Sequence, residues 1–140
     1  MTGALPPAVS AFLELFGGRT VELDRHLAEN VELRPPTYGK SWFGEPLVQQ
    51  LLSFAAQEFG GLSYTDIWRN GGSYVLRFEG SLDGQPLSGV DIVQLDPQGR
   101  IGLIEIFARP PGQMLKFRDR MGLRIQQTPS LADAMGLARS

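Results

Sequence analysis

The residue that most needs a chemical explanation is Asp91, set between Val90 and Ile92 in the stretch GVDIVQLDPQGRIGLIEIFARP, residues 89–110. The stretch reads as two apolar strands joined by a turn. Strands tolerate aspartate poorly, and a buried carboxylate is costly unless something compensates it. Two readings are open. Asp91 is a pocket acid, a hydrogen-bond donor or base made potent by apolar surroundings. Alternatively it is a structural carboxylate satisfied by backbone amides, an arginine or a neighbouring subunit. Arg34, in VELRPP, is the most interesting partner. At the mouth of a pocket it would pair with Asp91 or hold an anionic ligand; otherwise it is a surface arginine before a Pro-Pro turn. His26 is the one histidine and could serve as a base near neutral pH, but beside Glu29 in HLAEN it fits a solvated helix position better.

Composition removes several other chemistries. The chain has 140 residues, 42% of them hydrophobic and 20% charged, as expected of one soluble domain spanning 1–140. Thirteen basic against fifteen acidic residues leave a net charge of −2, which offers no broad attraction for nucleic acid or an anionic membrane. With no cysteine, disulfides, thiolate metal sites and cysteine nucleophiles are excluded. One histidine cannot build a multi-histidine zinc site, and the glycines show no phosphate-cradling pattern. No metal and no cofactor is expected. Neither a secretory signal nor an apolar run long enough to span a bilayer is visible, so a cytoplasmic location is the expectation.

Local patterns along the chain show what frame holds Asp91. The spacing predicts a helix over Ala8–Phe16 and a short second one over Val21–Glu29. A third, over Glu45–Phe59, carries a broad apolar stripe and ends at Gly60-Gly61. The pattern then switches to LSYTDIWR, SYVLRFEGSL, LSGVDIVQL and RIGLIEIFAR, four strands separated by Asn-Gly-Gly, Asp-Gly and Asp-Pro-Gln-Gly turns. Such short connections make neighbours antiparallel, and helices followed by a strand meander predict an α+β domain. A short helix begins in RPPGQMLKFRDRMG, and the end, LADAMGLARS, is weakly patterned. Lys116, Arg118, Arg120 and Arg124, set among Met114, Phe117 and Met121, form a basic amphipathic segment. It fits a solvated helix face balanced by Asp119, or a contact for an anionic partner.

Both faces of the last two strands are apolar, whereas a half-exposed antiparallel sheet should have one polar side. Helices can shield only one of them. Either a second subunit covers the other, making a homodimer through the outer sheet face, or the C-terminal tail folds over it.

The order of elements, and above all GVDIVQLDPQGRIGLIEIFARP, resembles the nuclear-transport-factor-2-like superfamily, which includes ketosteroid isomerases, limonene epoxide hydrolases and SnoaL-like polyketide cyclases. The resemblance covers about residues 5–121, leaving 122–140 as a tail, and the Ala108-Arg109-Pro110 ending is similar to SnoaL-like proteins with no assigned reaction. It implies a curved, mostly antiparallel sheet wrapped by three N-terminal helices into a cone with an apolar pocket. It also implies a dimer. Asp91 matches the place where ketosteroid isomerases hold a protonated aspartic acid that donates a hydrogen bond. The remaining isomerase groups do not carry over. Phe12 stands where the first helix would supply a tyrosine. Arg34 stands near the general base, and an arginine cannot take a proton at neutral pH. The epoxide-hydrolase relay is missing as well, with Gly89 and Ile106 at two of its places.

If Asp91 points inward, strand parity sends Gly89, Val93 and Leu95 with it, and the register the resemblance implies adds Leu76, Phe78, Ile104 and Ile106. Phe12, Phe16, Trp42, Phe54, Phe59 and Trp68 would supply aromatic wall or plain core. Tyr38 and Trp42, on the loop before the Glu45–Phe59 helix, would gate the mouth or cap exposed apolar surface. The expected ligand is a small hydrophobic molecule. The leading expectation is an isomerase, cyclase or lyase acting on a carbonyl compound with Asp91 as acid or base. A non-catalytic ligand-binding or dimerisation module is the alternative, and recognition of another protein is a third.

Overall fold

Residues 4–137 are described in the computed structural model. Helix α1 (Pro7–Phe16) opens with a proline in its first turn, where the missing N–H costs nothing. Val9, Phe12 and Phe16 are buried along one stripe. Helix α2 (Glu45–Phe59) buries Val48, Leu51, Leu52, Ala55 and Ala56 and stops at Gly60, whose left-handed φ of 68° suits a residue without a Cβ. Both agree with the apolar spacing.

The second helix expected over Val21–Glu29 does not form. A four-residue 3-10 turn, Leu23–His26, leads into strand β1 (Leu27–Arg34). Local spacing suited a helix, but Val31 and Leu33 alternate with Glu32 and Arg34, and a neighbouring strand is available. β1 runs parallel to β6 (Ile101–Arg109), with Leu33 opposite Ile104 and Arg34 opposite Glu105. Tertiary pairing thus overrides a short helical pattern. β2 (Trp42–Phe43) edges the sheet, and β3 (Ser63–Asn70), β4 (Ser73–Leu82) and β5 (Gln85–Leu95) complete it in the order β2-β1-β6-β5-β4-β3. All pairs except β1–β6 are antiparallel. The result is an α+β fold with a curved, unclosed sheet.

The core lies between the sheet and the helices. Leu76, Phe78, Val93 and Ile104 are fully or almost fully buried there, each contributing about 1.5–3 kcal/mol by leaving water. Gly89 is required by this packing. A Cβ at that position would lie 2.1 Å from the Phe107 carbonyl oxygen and 2.8 Å from the Phe78 ring, so only glycine lets β5 and β6 approach so closely.

The C-terminal segment is more structured than its sequence pattern suggests. Helix α3 (Pro111–Gln126) buries Met114, Phe117, Met121 and Ile125, and helix α4 (Pro129–Ala134) buries Leu131 and Ala132. Phe117 stacks on Phe59 of α2, ring centroids 4.7 Å apart. The tail therefore joins α2 on the inner side of the sheet, and the outer face is not covered by it. The basic residues of α3 are engaged within the protein. Lys116 and Arg120 meet Asp83 in the β4–β5 turn, and Arg124 binds Glu58 and Gln57 on α2. Gln113, buried, donates to the carbonyls of Leu82 and Gln85 at 3.0 and 2.8 Å. Among the described residues no helix is long and apolar enough to cross a membrane.

Candidate functional site

Asp91 points inward from the middle of β5. Leu76 lies directly across from it on β4 and Ile106 on β6, while Phe78 stands one inward position further along β4. Only 3% of Asp91 is exposed. Its partner is Tyr64, whose hydroxyl donates to the carboxyl Oδ2 at 2.7 Å. Burial among hydrocarbon raises the Asp91 pKa to about 7, and the Tyr64 hydrogen bond partly offsets that rise. The Tyr64 phenol moves well above its ordinary value, first because it is buried and then because an Asp91 carboxylate beside it disfavours a second negative charge. The tyrosine ring packs edge-on against Phe78 at 6.0 Å. At neutral pH Asp91 is thus divided between a hydrogen-bond-donating acid and a proton-accepting carboxylate, the condition in which one group can serve either role.

Sequence reasoning misses Tyr64 and puts Trp68 on the wrong face, for the same reason. In a regular strand Tyr64, Asp66 and Trp68 would share a face. A register irregularity between Tyr64 and Asp66 reverses the parity of the rest of β3. Tyr64 then faces inward opposite Phe78, while Trp68 lies on the outer face opposite Val75. There Trp68 is 48% exposed, with the Arg77 guanidinium 5.0 Å from its ring. It is not part of the pocket wall.

Arg34 is also outside. Its cross-strand neighbour is Glu105, which alternates with the inward-facing Ile104 and Ile106. The guanidinium binds Glu32 at 2.9 Å and Glu105 at 3.3 Å. It does not reach Asp91, because a one-residue step along a strand changes the face.

A second feature lies on the far side of Ile106. An apolar cavity of about 50 Å³ is bounded by the loop Pro35–Tyr38, by Leu33, Trp42 and Ile106, by side chains of α2 and α3, and by Met135 just after α4. Tyr38 stands at its rim, 44% exposed. Trp42 is buried in its wall, with the Lys40 ammonium 4.8 Å from the ring. Ile106 touches both the cavity and the Asp91 row, although Asp91 does not itself line this cavity. Phe117, Met121, Ile125 and Met135 complete the lining. The spacing of Met114, Phe117, Met121 and Ile125 is a helical stripe, the signal by which the α3 contribution could have been found.

The other aromatic candidates are core. Phe12 and Phe16 pack against each other on α1 with ring centroids 5.0 Å apart. Phe54 is partly buried on α2, with the Arg124 guanidinium 5.5 Å from its ring. None of the three lines the cavity. Leu76, Phe78 and Ile104 form the closed apolar wall around Asp91. His26 ends the 3-10 turn, partly buried and remote in sequence from the Tyr64–Asp91 pair.

No protein-family model and no curated protein sequence matches the chain. Solved structures do. An uncharacterised bacterial protein with a cystatin-like fold from Silicibacter pomeroyi superposes with a TM-score of 0.87 at 27% identity, covering 94% of each chain. A steroid delta-isomerase from Pseudomonas aeruginosa gives 0.80 at 24% identity, covering 92% of this chain and 99% of the other. An NTF2-like protein of unknown function from Cytophaga hutchinsonii gives 0.61 at 13% identity, covering 81% and 97%. The chain has the cone fold shared by nuclear-transport-factor-2-like and ketosteroid-isomerase-like proteins.

Proposed function

We propose that the protein binds a small apolar molecule carrying a carbonyl group between the sheet and its helices, and that Asp91 acts on it as acid or base. The Tyr64–Asp91 pair carries this reading: a buried carboxyl with a pKa of about 7 and one hydroxyl holding it in place. In its protonated form Asp91 donates to a carbonyl oxygen and stabilises negative charge developing there. Ionised, and held in place as a carboxylate by the Tyr64 hydrogen bond, it accepts a proton from the carbon next to the carbonyl and can return it to another carbon of the same molecule. Either role fits an isomerase or cyclase. The similarity to a protein described as a steroid delta-isomerase supports that class of chemistry without naming a substrate.

A non-catalytic binder is the second reading, and one observation favours it. Asp91 and Gln113 are the buried polar or charged residues in the described core, and Gln113 is engaged with backbone carbonyls. With Phe12 and Arg34 at the places where the resemblance would put an isomerase's other groups, Tyr64 is the one hydrogen-bonding side chain on Asp91 among the described residues. The test is isomerisation of a β,γ-unsaturated cyclic ketone, followed by the absorbance of the conjugated product, in wild type, Asp91→Asn and Asp91→Ala. Loss of turnover in both folded variants supports the acid–base role. Survival in both removes it. Binding without turnover in wild type leaves the binder.

A further inference from the structure

A notch in the sheet opens beside the apolar cavity. β1 stays in register with β6 only as far as Arg34, opposite Glu105. There β1 ends, and Pro35, which has no N–H to give to a ladder, leads the chain away. β6 runs on to Arg109. Over that last stretch it is paired with β5 on one side and, among the described residues, has no strand on the other. The space between the 34–41 segment and residues 105–108 measures about 540 Å³, the size of a small-molecule site. Backbone N–H groups on the free edge of β6 have no ladder partner there and are open to an acceptor.

The charge of the notch selects its occupant. Its ionised side chains are Arg34, Lys40 and Glu105. Arg34 is already bonded to Glu32 and Glu105. Lys40 makes no ion pair among the described residues, and its ammonium rests 4.8 Å from the Trp42 ring. One cation is thus left to meet a ligand, which suits a single negative charge. Apolar surface continues inward from the same place. Pro35, Pro36, Tyr38 and Ile106 line both the notch and the apolar cavity, and Trp42 walls the cavity beside Lys40. At about 50 Å³ the cavity has about a third of the volume that admits benzene. What enters it from the notch is a chain end of a few carbons, not a ring.

We propose that the notch and the cavity together bind a small monocarboxylic acid with a short branched alkyl end. The carboxylate meets the Lys40 ammonium and the free N–H groups of β6. The alkyl end passes between Tyr38 and Ile106 into the cavity walled by Trp42. Asp91 lines neither space, so this site goes beyond the acid–base reading and stands without it.

The full chain labelled with ¹⁵N provides the test. It has two tryptophans and so two indole N–H signals, Trp42 in the cavity wall and Trp68 on the outer face as internal control. Titration with isocaproate at neutral pH should shift the Trp42 signal and leave Trp68 in place. Isocaproamide, with the same alkyl end and no charge, should bind about tenfold more weakly, because charge-assisted hydrogen bonds are about twice as strong as neutral ones. Acetate, which has the charge and no alkyl end, should leave Trp42 unmoved at the same concentrations. Lys40→Gln should erase the difference between acid and amide, and Lys40→Arg should restore it. Lys40 is exposed, so both variants should fold. Equal affinity for acid and amide in the wild type, or a preference for the acid that survives Lys40→Gln, overturns the proposal. So does a Trp42 signal that ignores isocaproate, or acetate binding as tightly as isocaproate. All of these are binding measurements, so their failure is distinct from a failure of Asp91, which is read on turnover.

Discussion

Replacing Asp91 with asparagine should make the protein more stable at alkaline pH and leave it nearly unchanged in acid. The Asp91 carboxyl holds its proton to about pH 7 in the folded protein, against an ordinary value of 3.8. Between those limits the folded state binds more protons than the unfolded state, so stability falls as pH rises through the window. The cost is absent below the unfolded value and complete above the folded one. A gap from 3.8 to about 7, at about 1.4 kcal/mol per pKa unit, amounts to about 4 kcal/mol. An amide stays neutral throughout and keeps an oxygen to accept the Tyr64 hydrogen bond. Urea unfolding of both proteins at about pH 4, 6 and 8 measures the difference by linear extrapolation. Glu32 and Asp83, whose pKa values lie below the ordinary carboxylate range because of Arg34 and Arg120 respectively, contribute with the opposite sign. They are common to both proteins and cancel. Parallel stability curves for the two proteins would overturn this linkage, and so would an asparagine variant that loses stability relative to wild type as pH rises.

Two more outcomes rest on the same geometry. Tyr64→Phe removes the one hydrogen bond that lowers the Asp91 pKa. The carboxyl titration monitored by ¹³C NMR should therefore move above 7, with a stability loss of about 1 kcal/mol in acid and about 2 when Asp91 is ionised; a downward movement would contradict the assigned role. On the outer sheet face, Phe107 is 52% exposed and Trp68 48%, beside the partly exposed Val90, Ile92 and Leu103. A second copy of the chain packed there would cover them. Sedimentation equilibrium should give a dimer for wild type and a monomer for Phe107→Glu, and a wild-type monomer would rule out that assembly.

The outer face and the inner site differ in how their charges are handled. Outside, Arg34, Glu32 and Glu105 form a partly exposed cluster, and pairs of that kind contribute little. Inside, one carboxyl meets one phenol away from water. That contrast favours the Tyr64–Asp91 pair as the place for chemistry and leaves Arg34 a surface role.

Much of this arrangement is legible in the chain itself. The α2 stripe from Val48 to Ala56, the turns at Asn70-Gly71 and Asp83-Gly84, and the alternation through β4, β5 and β6 are local patterns. Periodicity and turn chemistry read them without reference to the rest of the molecule. Asp91 also announces itself, because a carboxylate in an apolar strand conflicts with its surroundings. Relations between distant segments needed the folded molecule. β1 is a strand because β6 is there to pair with it. A bulge in β3 turns Tyr64 toward Asp91 and Trp68 away from it. Arg34 faces outward through its register with Glu105, and the weakly patterned C-terminus becomes a cavity wall because α2 and the sheet offer it an apolar surface. Local preferences amount to fractions of a kcal/mol per residue, whereas burial against a partner is worth several times more, so where the two disagree the partner prevails.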